Sequence, residues 1–300
     1  VYKRDSNAPI GWTQIGQDIN GEADRDQSGT SVSLSSDGYT VAIGAPYNDG
    51  NGTDSGHVRI YEFSDDSWTK IGQDINGQAG GDQSGWSVSL NDYGDIVAIG
   101  ARYNDGNESN SGHVRVYQNV SGSWTKIGQN IDGEANSDYS GSSVSLSSDG
   151  RIVAIGAPKN DGNQRWSGHV RVYEWREYTD DDDDVYNHTN QTQSASQTKP
   201  LIITGGNDPV AGNYYWSQIG NDIDGDSGYH HFGTSVSLNN NGTIVAIGSP
   251  YSSSNSGKVK IYQYDNSTSN WSPLGNDING DYRAQSGWSV SLNDDGNIVA

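Results

Sequence analysis

Five tryptophan-led phrases divide this chain into near-identical units, and nothing else in the sequence constrains its fold as strongly. Trp12, Trp68 and Trp124 each open W-T-[QK]-I-G-Q at intervals of 56 residues; Trp216 and Trp271 open W-S-Q-I-G-N and W-S-P-L-G-N, 55 apart. Between them the same phrases return in the same order. S-G-x-S-V-S-L starts at Ser28, Ser84, Ser140 and Ser286, with F-G-T-S-V-S-L at Phe232. V-A-I-G-A-P or a close form follows from Val41, Val97, Val153 and Val245, then G-[HK]-V-[RK]-[IV]-Y from Gly56, Gly112, Gly168 and Gly257. A unit of this kind cannot bury its apolar face alone and must stack on its neighbours.

Each phrase reads as a short strand. Val32 and Leu34 alternate with Ser31 and Ser33, and Val58 and Ile60 with His57 and Arg59, a period of two. Ser36-Asp37-Gly38, Ser148-Asp149-Gly150 and Asp294-Asp295-Gly296 put an Asp-Gly pair between two apolar runs, the hairpin signal. No window reads as a helix. Four strands in about 56 residues make one propeller blade, slightly longer than the common ~40–50-residue types. Whole blades are expected near 28–75, 84–131, 140–223 and 232–278, and with the ends the chain holds about five blade-equivalents of an all-β propeller.

The ordered set (F/S)-G-x-S-V-S-L, x-D-G, V-A-I-G-A-P and G-x-V-x-[VI]-Y resembles the FG-GAP repeat of integrin α-subunit-type β-propellers. The resemblance covers nearly the whole chain outside one insertion, and it implies a ring of seven blades. Only Phe232-Gly233 keeps the literal F-G. The family's calcium loop, a D-x-D-x-D-G stretch between the first two strands, is reduced here to Ser35-Ser36-Asp37-Gly38 or Asn239-Asn240-Asn241-Gly242. Those loops are too short and too poor in carboxylates for the six to eight oxygens calcium takes.

The start, Val1-Tyr2, matches the end of a third-strand phrase, and the finish, Asn297 to Ala300, lies inside a second-strand phrase. Two readings stay open: a ring closed by strands from both ends, or a longer chain cut at each. Either way, residues 1–300 read as a single domain. Its one interruption is an acidic, polar insertion at about 176–212, in the third whole blade, with Asp180 to Asp184 in a row. Five adjacent carboxylates repel one another and favour a solvated loop, expected to project from the face opposite the acidic loops.

Composition then removes whole function classes. Seventeen Lys and Arg against 38 Asp and Glu leave a net charge of −21, which opposes nucleic-acid phosphates and anionic membrane surfaces. With no Cys, no disulfide, thiolate nucleophile or Cys-held zinc exists. No apolar run approaches the ~18 residues of a membrane helix. Leu, Ile, Val and Phe are scarce enough to suggest disorder, but their fixed repeat positions overrule that reading.

About half of the acids fall in the loops joining strand 4 to the next strand 1, or in the 2–3 loops on the same face. In the 4–1 loops, Asp18, Asp26, Asp74, Asp82 and Asp138 are the candidate ligands for calcium, a possible and not a required cofactor. The alternative is that Asn, Asp and Gly are simply what turns demand. His57, His113 and His169 share one strand position, too far apart for a common metal, and the fourth copy has Lys258. The recurrent tryptophans read as outer packing between blades. His230-His231 offers at most a variable loop, and no G-x-S-x-G, H-E-x-x-H or P-loop occurs. Eight N-x-[ST] sequons, at Asn51, Asn107, Asn119, Asn187, Asn190, Asn241, Asn266 and Asn270, are candidate glycosylation sites.

These observations point first to a non-enzymatic extracellular or cell-surface propeller that serves adhesion, assembly or filament formation. A calcium-dependent lectin and a polysaccharide-acting enzyme are the alternatives. Expected partners are an extracellular protein or glycan, with self-assembly open, and with neither nucleic acid nor direct membrane insertion.

Overall fold

The computed structural model describes residues 1–6, 8, 11–177 and 214–300. Four antiparallel meanders follow one another. The first blade is β3 (Ser31–Leu34), β4 (Thr40–Ala45), β5 (His57–Ser64) and β6 (Ser67–Lys70), with β7 (Ile75–Asn76) returning to pair β5. The second is β8 (Ser87–Leu90), β9 (Ile96–Ala101), β10 (His113–Val120) and β11 (Ser123–Asp132). The third is β12 (Ser143–Leu146), β13 (Ile152–Ala157), β14 (His169–Glu177) and β15 (Tyr214–Gln218), with β16 (Ile223–Asp224) on β14. The fourth is β17 (Ser235–Leu238), β18 (Ile244–Ser249), β19 (Lys258–Asp265) and β20 (Asn270–Pro273), with β21 (Ile278–Asn279) on β19. Among the described residues the sole helical turn is Ser252–Asn255. The expected blade limits and the all-β propeller class therefore stand.

First strands of successive blades lie side by side, which makes them the innermost layer. Their register is the same in every copy: Ser31 faces Gly44, Ser87 faces Gly100, Ser143 faces Gly156 and Ser235 faces Gly248. The hydrophobic core is consequently not inside a blade but between blades. One cluster joins Val58, Ile60 and Ile75 of the first blade to Val88, Leu90, Val97 and Trp124 of the second, and two like it follow round the arc. Each fully buried Val, Leu or Ile of this kind contributes roughly 1.5–3 kcal/mol.

Hydrogen bonds repeat across the same boundaries. Ser31, Ser87, Ser143 and Ser235 donate through Oγ to the carbonyls of Gly85, Gly141, Gly233 and Gly287 at 2.7–2.9 Å. The other serine of each strand, Ser33, Ser89, Ser145 or Ser237, accepts the amide of Leu90, Leu146, Leu238 or Leu292 in the next blade. At the outer edge Trp68, Trp124, Trp216 and Trp271 donate Nε1–H to Ile15, Ile71, Ile127 and Ile219 of the preceding unit. The tryptophans cover the seam, as expected, and also bond across it.

The Asp-Gly turns form as read: Asp37 accepts Ser35 Oγ and the Tyr39 amide, and Gly38 takes φ +74°. At the two ends, β1 (Tyr2–Arg4) pairs only with β2 (Trp12–Gln14), and Leu292 bridges Val299. These part-blades do not share a sheet, so the described strands make an arc and not a closed ring. Val32 and Leu34 of β3 are accordingly 63% and 49% exposed, where Val88 and Leu90 of the covered copy are buried. The expected insertion lies almost wholly outside the described residues; its roots, Glu177 and Tyr214, are register partners at the 3–4 end of the third blade.

Close approach at the innermost layer makes a direct test. A methyl on Gly100 would stand 2.1 Å from the Gly141 carbonyl oxygen, whereas one on Gly122 meets nothing within 4 Å and pays only for φ +85°. Gly100→Ala is expected to cost about 3 kcal/mol, the upper end of overpacking, and Gly122→Ala about 1 kcal/mol. Equal losses in urea melts would remove the close-approach argument.

Candidate functional site

The 4–1 and 2–3 loops do share a face, because one holds the other. Asn48, Asn104 and Asn160 donate through Nδ2 to Asp26, Asp82 and Asp138 at 2.8–3.0 Å. Backbone amides of Ala79 and Ala135 add second bonds to Asp82 and Asp138. All three carboxylates are buried, and burial raises the Asp138 pKa despite those donors. Asp18 is held by Gln14 at 2.9 Å, and Asp74 by Arg59 and Lys70. The five candidate ligands are thus spread over three successive 4–1 loops, each with its own partners. Among the described residues, two groups place three ligand atoms within 4.8 Å of one another: Glu22, His57 and Asp74, and Glu134, His169 and Asp222. Asp74 alone of the five belongs to either.

Those groups belong to a cradle present in every blade. The third strand begins with His57, His113, His169 or Lys258, and two residues on stands Arg59, Arg115, Arg171 or Lys260. Acids reach them from the preceding 4–1 loop and from the end of the blade's own fourth strand. In the first blade Glu22 and Asp74 meet Arg59, and Lys70 closes on Asp74 at 2.6 Å. In the fourth, Asp226 and Asp277 meet Lys258 and Lys260. The second copy carries amides at both positions, Gln78 and Asn130. In the third, Glu134 and Asp222 face Arg171, and Gln218 stands where the first blade has Lys70. Burial opposes ionisation throughout, but the cations outweigh it for Asp74 and Asp226, whose pKa values fall. For Glu134 and Asp224 burial and neighbouring carboxylates prevail, and theirs rise.

A second feature sits at the mouth of the central axis, on the face of the acidic loops. Trp86, Ser142, Thr234 and Trp288 immediately precede the strand-1 Ser-Val phrase of their copies, and Arg102-Tyr103, Pro158-Lys159 and Tyr251 follow the second strands. With Tyr139 and His231 they line a cavity of about 300 Å³. Arg102 lies on the Trp86 ring and 4.6 Å from the Tyr103 centroid; Lys159 is 4.3 Å from Tyr139. Edge contacts join Tyr103 to Tyr139, His231 to Tyr251 and Tyr251 to Trp288. No carboxylate lines this cavity. The Arg102 Nε is buried without a hydrogen-bond partner, and burial lowers the Arg102 pKa.

These are among the positions at which the copies differ. The residue before the first Ser or Phe is Gln27, Gln83, Tyr139, His231 or Gln285, always with φ of 52–59°. A non-glycine residue there costs about 1–2 kcal/mol, so each copy keeps a side chain where glycine would be easier. The varying positions were open to view in the sequence; what placed them together was the nearness of first strands at the axis.

A larger cleft, about 510 Å³, lies on the opposite face between the second and third blades, where Trp175 stacks on Tyr214. Among the sequons, Asn51 and Asn107 are exposed but use Nδ2 to hold the Gly77 and Gly133 carbonyls. Asn119 and Asn270 are half-buried, Asn241 and Asn266 exposed, and Asn187 and Asn190 outside the described residues.

The buried histidines give the fold a pH signature. Desolvation lowers the pKa of His57, brings His113 from 6.5 to about 3 and brings His169 to about 4. The folded chain then refuses protons that the unfolded chain accepts below 6.5, so stability is complete above that pH and is lost as pH falls. Each such group adds a slope of about 1.4 kcal/mol per pH unit. His113→Gln is expected to remove one group's share of the slope between pH 6.5 and about 3; an unchanged slope would show that His113 is protonated in the fold.

Comparison with known proteins agrees with this architecture. The FG-GAP repeat model matches residues 20–61, 76–117 and 131–173. No curated protein matches the sequence. A protein of Bacteroides uniformis ATCC 8492, provisionally named a 6-phosphogluconolactonase, superposes with a TM-score of 0.50 at 11% identity, over 84% of this chain and 55% of its own. The periplasmic gluconolactonase of Pseudomonas aeruginosa gives 0.47 at 16% identity, over 90% and 64%. This chain spans less than two thirds of either, and the likeness is one of fold. It nonetheless corrects the expectation of a non-enzyme: repeated blades do not exclude catalysis, since a protein named for a lactonase activity uses the same architecture. No helix among the described residues is long and apolar enough to cross a membrane. The repeated strand phrases and their blade-by-blade register make the described strands a β-propeller arc, and its first three blades match the FG-GAP repeat.

Proposed function

We propose that this is an extracellular or cell-surface recognition propeller whose axial mouth holds an anionic glycan, and that adhesion or assembly follows from that binding. The observation that carries this reading is the mouth itself. Copies that share their strand phrases differ there, and what they place there is aromatic and cationic in a chain of net charge −21. Trp86, Tyr139, Tyr251 and Trp288 offer flat apolar faces for sugar rings. Arg102 and Lys159, both in the cavity wall, supply the charge for a carboxylate or sulfate.

A second reading rests on one residue. His231 stands in the cavity wall with its pKa lowered by burial and by Lys159, so it is a neutral imidazole near pH 7 that can accept a proton. A propeller that cleaves the glycan it binds is therefore the alternative, in keeping with a fold shared with a protein provisionally named a lactonase.

Calorimetry with uronic-acid or sulfated oligosaccharides, against neutral ones, tests both. Acidic oligosaccharides are expected to bind with an affinity that falls as salt rises. Arg102→Ala and Trp86→Ala are each expected to weaken binding at least tenfold, about 1.4 kcal/mol, while Tyr93→Ala on the other face leaves it unchanged. Equal affinity for neutral and acidic sugars, or no loss in Arg102→Ala, sinks the proposal. Product formation that disappears in His231→Ala with binding retained selects the enzyme.

A further inference from the structure

The cradles at the start of each third strand form an internal series in which only the charge changes. In the first blade two acids, Glu22 and Asp74, are matched by two permanent cations, Arg59 and Lys70. In the fourth, Asp226 and Asp277 are matched by Lys258 and Lys260. In the second, Gln78 and Asn130 have replaced both acids. The third copy alone has more acid than permanent cation. Glu134 pairs with Arg171, and among the described residues no Lys or Arg pairs with Asp222. The position that gives Lys70 in the first blade gives Gln218, whose amide bonds Asp222 at 2.7 Å.

Into this deficit points a buried imidazole. His169 is 1% exposed, and its Nδ1 stops 3.8 Å from Glu134 and 3.7 Å from Asp222. Those gaps are too long for hydrogen bonds. They are close to the roughly 3.3 Å that separates ligands around a tetrahedral ion with bonds of ~2.0–2.1 Å. The fourth blade shows what the space accepts: Lys258, at the histidine's position, places its ammonium 2.9 Å from Asp277 and 3.4 Å from Asp226.

We propose that the third blade binds one divalent cation of the zinc class through His169 Nδ1, Glu134 and Asp222. One nitrogen and two carboxylates are the donor set of an open zinc site, with water in the fourth place. Calcium, which takes six to eight oxygens, does not suit it. Glu134 comes from the loop before the blade and the other two ligands from within it, so the ion joins the third blade to its neighbour. The first blade has the same three residue types and binds no ion there, because Arg59 and Lys70 already hold Asp74.

The test uses the full chain, stripped with chelator and titrated with zinc chloride by calorimetry, with bound metal measured after dialysis. One zinc per chain is expected, with a rise in melting temperature that chelator reverses. Asp222→Asn and Glu134→Gln should each weaken binding at least tenfold, and His57→Ala should leave it unchanged. His169→Lys, which copies the fourth blade, should abolish zinc uptake while keeping the melting temperature at or above that of the stripped parent. Zinc retained in Asp222→Asn and His169→Lys, binding of calcium in preference to zinc, or a parent that takes up no zinc overturns the proposal.

Discussion

Between adjacent blades a first-strand serine donates to a carbonyl that opens the next blade, and a glycine directly across the sheet lets that carbonyl come close. Ser87, Gly100 and Gly141 are one instance: Ser87 faces Gly100 in the register and bonds Gly141 at 2.8 Å. Everything else follows from this contact. It sets how near the blades lie, so that Val88 and Leu90 meet Ile60 and Val58 of the previous blade and become core. It also satisfies polar groups on the second face of the strand, which would otherwise be buried at a cost of about 1–3 kcal/mol each. A chain with 31% hydrophobic residues can fold on this plan because hydrogen bonds and close backbone packing repeat at every seam.

That plan explains which parts of the fold were legible in the sequence. Strand order, turn position and blade length rest on local patterns, and the alternation of Val and Leu with Ser identified strands correctly. Locality fails at the serines. In a propeller both faces of a blade meet neighbours, so the serines are half-buried and bonded across the seam. Their partners lie 54 and 57 residues away, beyond any periodicity within a unit. The Trp-Gly-Gln phrase shows the same limit. Gln17, Gln73 and Gln129 hold both the amide and the carbonyl of the next unit's Trp68, Trp124 and Trp216, a reciprocal bond that no local rule announces.

The acidic loops were legible as a shared face and illegible as chemistry. Counting carboxylates cannot separate an aspartate that braces a turn from one left to face a cation. Asp26, Asp82 and Asp138 are braces, each tied to an asparagine of the adjoining loop. The histidines were weighed only against one another, across blades, and at that separation they share nothing. His57 and His169 in fact answer to acids delivered by their own fourth strands and by the loops before them, and His113 to Asp132 of its own fourth strand. The signal was present in the repeat alignment as a substitution pattern: Lys258 where the other copies have His, and Gln218 where the first two have Lys70 and Lys126. Comparing copies for net charge, position by position, is what exposes it.

Repetition also decides where a distinct site can form. Side chains at equivalent outer positions of neighbouring blades are carried apart as the blades fan outward, so a change in one copy stays isolated. At the axis the first strands lie side by side, and single residues from consecutive copies come within contact of one another. Tyr251 of the fourth blade reaches Trp288 at 6.0 Å and His231 at 4.9 Å, although the three belong to different loops. Divergence of one residue per copy is therefore enough to build an asymmetric cavity there without disturbing the seams. The left-handed backbone before each first strand reinforces this, because in two copies the residue held there, Tyr139 or His231, lines the mouth. On the proposed reading, an acidic exterior around a cationic mouth would steer an anion toward the axis, where Arg102 and Lys159 lie over aromatic rings.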